Sequence, residues 1–253
     1  MISLNRIVSS AAVALALTAS HAAFAEPIKN IVLVHGYFAD GSGWQGVAKI
    51  LTRDGYTVSV VQQPETTFAD DVKATQSAVN GAEGRSLLVG HSYGGMVITQ
   101  AGDDPKVAGL VYVAAFEPEV GETLRDLTSK IPAATKGIKP TPDGHLMFDQ
   151  PLFNADFAAG VPEAEANFMA VSQVLPSIET ANAKVTQAAW KTKPSWAVVS
   201  KDDRTVNPDL ERFMAKRAGS TVTEIHGSHV AFIVHPAEVA KVIEQAAVAS
   251  GKG

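Results

Sequence analysis

The chain has 253 residues, 46% of them hydrophobic and 19% charged, with a formal net charge of −5 and no cysteine. This composition suits one packed globular domain, and the acidic balance without a long Lys/Arg cluster argues against nucleic acid as a partner. The missing cysteines exclude disulfides, a thiol nucleophile and lipid attachment through an N-terminal cysteine, so stability has to come from packing.

At the N-terminus, Arg6 precedes an apolar run from Ile7 to Ala19, followed by Ala23-Phe24-Ala25. The run is short for a bilayer span, and the small-x-small triplet has the form of a cleavage site. Residues 1–25 are therefore expected to be a signal peptide removed after Ala25. Residues 26–253 would then be a single domain exported to the periplasm or beyond, with no membrane anchor.

The first buried run, Asn30 to His35, is apolar on both faces, as in a strand inside a parallel sheet. Similar runs recur at Thr57 to Val61, Ser86 to Val89, Val107 to Ala114, Ser195 to Ser200 and Thr221 to Ile225. Helical spacing falls between them, at Trp44 to Arg53, Phe68 to Asn80, Tyr93 to Ala101, Pro208 to Ala218 and Pro236 to Ala249. Asp40 and Ser42 read as N-terminal caps of the first helix, and Pro208 and Pro236 stand where helix starts tolerate proline. About six mostly parallel strands with helices on both faces make an α/β fold.

From about residue 117 to 193 the alternation stops, and prolines and aromatics take over. That is too long for a plain loop, so it is expected to be a cap folded over the end of the sheet. Within it, Gly144 to Phe148 suggests a hairpin, and Ala155 to Val174 and Ile178 to Ala189 suggest helices.

Chemistry concentrates where strands end. Gly90-His91-Ser92-Tyr93-Gly94 is a G-x-S-x-G run between an apolar strand and a helix. The sharp turn this implies would expose the Ser92 hydroxyl, with Gly90 and Gly94 avoiding clashes. A serine needs a base held by a carboxylate. His229 follows the last strand and precedes the last helix; His226, which abuts the strand, has the weaker claim, and His35 and His91 read as structural. Asp203 is favoured as the acid over the adjacent Asp202, and the order Ser92, Asp203, His229 is the order of an α/β-hydrolase. Backbone N–H groups of Tyr37, after His35-Gly36, and of Tyr93 are the expected oxyanion donors. Phe38, Phe148, Phe168 and Trp190 are candidates to line the substrate pocket. No metal cluster or phosphate-binding loop is expected.

The segments HGYFADGSGW (35–44), GHSYGG (90–95), SKDDRTVNP (200–208) and GSHVAFIVHP (227–236) resemble the α/β-hydrolase superfamily across nearly all of residues 26–253. The resemblance is nearest to the small serine esterases and hydroxynitrile lyases and their bacterial relatives. It implies a Ser92, His229, Asp203 triad, an oxyanion hole at Tyr37 and Tyr93, a small apolar or aromatic ester as substrate, and no cofactor. The same triad would serve a lyase, a carbon–carbon bond hydrolase, or a ligand-binding receptor with little turnover. Tyr37 and Phe38 depart from the pattern, being bulky where many relatives carry small residues.

Overall fold

In a computed structural model, which describes residues 28–251, each buried run becomes a strand of one sheet. The expected signal peptide lies outside the described residues. In chain order the elements are β1 (Asn30–Val34), α1 (Gln45–Arg53), β2 (Thr57–Val61), α2 (Phe68–Gly81), β3 (Ser86–His91), α3 (Gly94–Ala101) and β4 (Val107–Val113). There follow α4 (Leu124–Lys130), β5 (Ile138–Pro140), β6 (Leu146–Phe148), α5 (Gln150–Asp156), α6 (Glu163–Val171) and α7 (Ile178–Asn182). The chain then returns to the sheet with β7 (Ser195–Ser200), α8 (Pro208–Ala218), β8 (Thr221–Ile225), α9 (Ala231–Val234) and α10 (Pro236–Ser250).

The main sheet has the order β2-β1-β3-β4-β7-β8, and all its pairings are parallel. Burial explains the composition of the runs: every residue of β3, β4 and β7 is buried, whereas edge strands β2 and β8 bury only Val61 and Ile225 and expose Thr57, Val60, Thr221, Val222 and Glu224. The chain moves outward from β1 to β2, then crosses back to β3 on the other side of β1. Right-handed crossovers therefore put α1 and α2 on opposite faces. α1 packs on α10, and α2 packs on α3. Because strand order reverses between β1 and β3, their carboxyl ends border a crevice, the usual location of a site in an open α/β sheet.

The helix starts follow their capping chemistry. Thr67 accepts from the Asp70 N–H to open α2, and Asn207 accepts from the Asp209 N–H ahead of Pro208 in α8. Asp40 accepts from the Ser42 N–H, but the turn it caps is a 3-10 turn, Gly41–Trp44, preceding α1; Ser42 lies inside that turn and caps nothing.

The segment between β4 and β7 departs from expectation in three places. Ala155 to Val174 is two helices, because Gly160 adopts φ +91° and Pro162 begins a new start. Ile178 to Ala189 is helical only to Asn182. Beyond it, Val185 N–H donates to Glu122 O, and Gln100 Oε1 accepts from the N–H of Thr186 and Gln187, so tertiary partners replace helical ones. α4 has no counterpart among the expected helices, although Thr123 and Asp126 form a reciprocal capping box at its start. The expected hairpin is present, with β5 pairing antiparallel to β6.

Candidate active site

Ser92 follows β3 and takes φ +53°, a left-handed conformation that costs a non-glycine residue on the order of 1 kcal/mol. The turn is tight enough that a Cβ on Gly94 would lie 2.6 Å from His35 O, and one on Gly36 2.6 Å from the Ser92 Cβ. Small residues at these two positions let the ends of β1 and β3 close on each other. The Ser92 carbonyl is pinned by Gly95 N–H (2.9 Å) and Phe116 N–H (3.2 Å).

The loop after β8 carries His229 to the same end of the sheet. Its Nε2 lies 2.8 Å from Ser92 Oγ, and its Nδ1 lies 2.7 Å from Asp203 Oδ2. The other Asp203 oxygen accepts from the N–H groups of Thr205 (2.7 Å) and Val206 (2.9 Å), which fixes the carboxylate. All three residues are buried, with Ser92 exposed by only 6%. A hydrogen on Nδ1 facing Asp203 leaves Nε2 free to accept the Ser92 proton, so the arrangement can carry a proton off the hydroxyl.

His91 holds His229 itself, and Asp202 holds the loop two residues before it. Burial pushes the His91 imidazole well below its ordinary pKa, so it is neutral, and its Nε2–H donates to His229 O at 2.9 Å. Asp202 turns the other way, accepting from Gly227 N–H at 3.0 Å and pairing with the exposed His226 at 3.1 Å. These hydrogen bonds, the Gly227 N–H foremost, hold the Asp202 carboxyl below its usual range.

Among the described residues, no turn or cap carbonyl takes up the N–H of Tyr37 or Tyr93. Their rings stack with centroids 4.1 Å apart. The Tyr93 hydroxyl donates to Asp71 Oδ2 (2.6 Å), and Asp71 Oδ1 accepts from Glu65 N–H (2.8 Å). Thr180 donates its hydroxyl to Ser177 O, so the Tyr37 hydroxyl, 2.5 Å from Thr180 Oγ1, is the donor in that pair. The Glu65 carboxyl is buried without a hydrogen-bond partner, 3.6 Å from His35 Nδ1, and burial pushes its pKa up to about 10. Burial likewise raises Asp71, and Glu211, beside Asp203, goes well above the carboxylate range.

Of the four candidate pocket residues, Phe38 and Phe168 line a cavity of about 680 Å³, together with Val161, Met169, Val230 and Phe232. Ser92, Phe148 and Trp190 are not among its lining residues. Phe148 packs edge-on behind Phe38 at 5.8 Å, and Trp190 donates its indole N–H to Pro118 O. Phe157 bridges this aromatic group to the His229 ring, 5.1 Å away.

Asp71 and Thr180 were missed from the sequence. Asp71 had a signal: it shares the buried stripe of α2 with Phe68, Val72, Thr75 and Val79, where a carboxylate needs a partner. Thr180 had none, since only the folding of the inserted segment brings it to Tyr37.

Comparison with known proteins agrees with this fold. A family model described as "Alpha/beta hydrolase family" matches residues 31–242, and the chain belongs to that family, among its esterase-like members. It is 34% identical over 115 residues to a carbendazim hydrolyzing esterase of Nocardioides sp. (strain SG-4G), covering 40% of this chain and 48% of that protein. Over 188 residues it is 27% identical to methylesterase 7 of Arabidopsis thaliana, covering 65% of this chain and 68% of the relative. The crystal structure of a pyrethroid hydrolase from Sphingobium faniae JZ-2 shares the fold, with a TM-score of 0.73 at 23% identity, covering 89% of this chain and 99% of the other.

Proposed function

We propose that the protein hydrolyses small carboxylic esters through an acyl-enzyme formed on Ser92. The observation that carries this reading is the unbroken relay from Ser92 Oγ to His229 Nε2 (2.8 Å) and from His229 Nδ1 to Asp203 (2.7 Å). His229 takes the hydroxyl proton as Ser92 Oγ attacks the ester carbonyl, and Asp203 stabilises the imidazolium without itself becoming protonated. The tetrahedral oxyanion is met by the N–H groups of Tyr37 and Tyr93. The imidazolium then protonates the leaving alcohol, and the acyl group stays on Ser92. A water activated by His229 releases the acid and restores the hydroxyl, with no step that calls for a metal or cofactor.

Two of the relatives above are named as esterases, which supports ester cleavage as the chemistry. Lys130, Lys136, Lys139, Lys184 and Lys191 of the inserted segment are exposed and Lys193 is half-buried, and among the described residues none of them bonds Ser92, His229 or Asp203, which favours hydrolysis over a lyase reaction needing a cation beside the triad. Taken as the substrate's pocket, the cavity beside Phe38, which Ser92 does not line, would favour an apolar or aromatic group on the ester through Phe168, Met169 and Phe232. A panel of activated esters of graded acyl and alcohol size, with Ser92→Ala as control, tests the reading. Measurable ligand binding with no turnover of any ester would favour a receptor instead.

Export is part of the same proposal, resting on the N-terminal pattern through Ala25. N-terminal sequencing of the exported protein should start at Glu26; a mature chain still carrying Ile7 would contradict it.

A further inference from the structure

A peptide N–H points opposite the carbonyl of its own peptide plane. At Tyr93 that plane is set by the two donors on Ser92 O. At Tyr37 the plane includes Gly36 O, and what fixes it is a side chain. Gln63 N–H donates to His35 Nε2 at 3.0 Å, so Nε2 is the bare nitrogen and Nδ1 carries the hydrogen. His35 Nδ1 lies 3.1 Å from Gly36 O and donates to it. His35 is 1% exposed, and burial pushes its pKa down, which keeps the ring neutral and the tautomer fixed. Gln63 Nε2 also holds His35 O, at 2.6 Å.

The Tyr37 side chain is held separately. Its ring stacks on Tyr93, and the Tyr93 hydroxyl is tied to Asp71, whose second oxygen is tied to the backbone of Glu65. Tyr37 is thus gripped at its peptide plane by His35, at its ring by the Asp71–Tyr93 pair and at its hydroxyl by Thr180. The first two grips act on one N–H group, and neither contacts Ser92 Oγ.

We propose that His35 and Asp71 are positioning residues for the oxyanion hole: His35 through Gly36 O, and Asp71 through the Tyr93 ring, together aim the Tyr37 N–H at the reacting carbonyl oxygen. This rests on the reading of Ser92 as the nucleophile. It also gives Asp71 a reason to occupy the apolar stripe of α2, where a carboxylate is otherwise disfavoured.

The test uses the whole protein with His35→Asn, Tyr93→Phe, Asp71→Ala, Asp71→Asn and the double variant His35→Asn/Asp71→Ala. Asp70→Asn, at an exposed carboxylate that bonds only Thr66 and Thr67, is the control. Active sites are counted with a fluorophosphonate, so unfolded protein does not enter the rates. Losing an oxyanion donor costs about 10²- to 10³-fold. A misaimed donor should cost less, so kcat per titrated site should fall by roughly 10- to 30-fold in His35→Asn, Tyr93→Phe and Asp71→Ala, with KM within twofold. Affinity for a trifluoromethyl ketone, whose adduct carries an oxyanion, should fall by the same factor. Asp71→Asn should recover most of the rate, since its amide can still hold the Tyr93 hydroxyl, and Asp70→Asn should match the parent. The double variant should lose less than the product of its single losses, because both act on one N–H. If His35→Asn, Tyr93→Phe and Asp71→Ala keep the parental kcat and ketone affinity per titrated site, this inference falls and the triad reading stands. If the parent protein neither turns over esters nor labels with the fluorophosphonate, both fall.

Discussion

Asp202 and Asp203 are adjacent in sequence, yet their carboxylates brace the two ends of one loop: Asp203 meets the His229 ring at 2.7 Å, and Asp202 meets Gly227 N–H at 3.0 Å. Neighbouring side chains point in different directions, and here each direction has a use. Asp203→Asn should lower kcat about 10³- to 10⁴-fold with the fold intact, because an amide stabilises neither the right tautomer nor the imidazolium. Asp202→Asn should change kcat by only a few-fold. Steady-state kinetics on one ester separates the two, and equal losses would show that the acid has been misassigned.

Gly36 is where a single methyl should do most harm. Its added Cβ would stand 2.6 Å from the Ser92 Cβ and 2.9 Å from His91 O, within a turn that has no room to yield. Gly36→Ala is therefore expected to cost about 10²-fold in kcat, comparable to losing an oxyanion donor. Fluorophosphonate labelling rate and circular dichroism together check that the chemistry, and not the fold, is lost.

Phe168 is 68% exposed and also lines the cavity. A large apolar side chain so placed contributes little to the core, so Phe168→Ser should leave the melting temperature within about 1 °C. KM for esters with a bulky apolar group should rise several-fold, while that for acetate esters stays put. An unchanged KM across the series would show that the cavity does not receive the substrate.

The buried carboxyls set the alkaline side of the stability profile. Burial pushes Glu117 up to about 8 from an ordinary 4.5, so between these values the folded state keeps a proton that the unfolded chain has released. Stability therefore falls as pH rises through that window, by on the order of 1 kcal/mol per pH unit for such a carboxyl. Glu65 acts in the same sense up to about 10. The buried His35 and His91 work the other way: pushed below 6.5, they are protonated only on unfolding, and stability drops as pH falls below that value. Glu117→Gln should thus raise the melting temperature more at pH 8 than at pH 5, by roughly 3 °C per pH unit. Thermal melts at both pH values check this; an equal shift at both would mean that Glu117 does not hold its proton.

The sheet and the places of Ser92, Asp203 and His229 at its carboxyl edge were legible because their signals are local. Residues buried on both faces must be apolar, so β3, β4 and β7 announce themselves, and Ser92, Asp203 and His229 each follow a strand at its carboxyl end. The segment from 117 to 193 was not legible in detail, because its course is decided by distant partners. The chain after Asn182 leaves the helix for hydrogen bonds to Glu122 and Gln100, which no window of sequence displays. His35, a histidine flanking a turn, reads as structural from sequence, and its contacts on both nitrogens, with Gln63 N–H and Gly36 O, come only with the fold.

The relay from Ser92 through His229 to Asp203 is the central claim, and Ser92→Ala tests it most directly. On one activated ester, the parent protein should turn over and lose its activity to a serine-directed fluorophosphonate, with the label recovered on the peptide containing Ser92. Ser92→Ala should take no label there and should lose about 10⁴-fold or more of kcat. Turnover in Ser92→Ala equal to that of the parent would contradict the account.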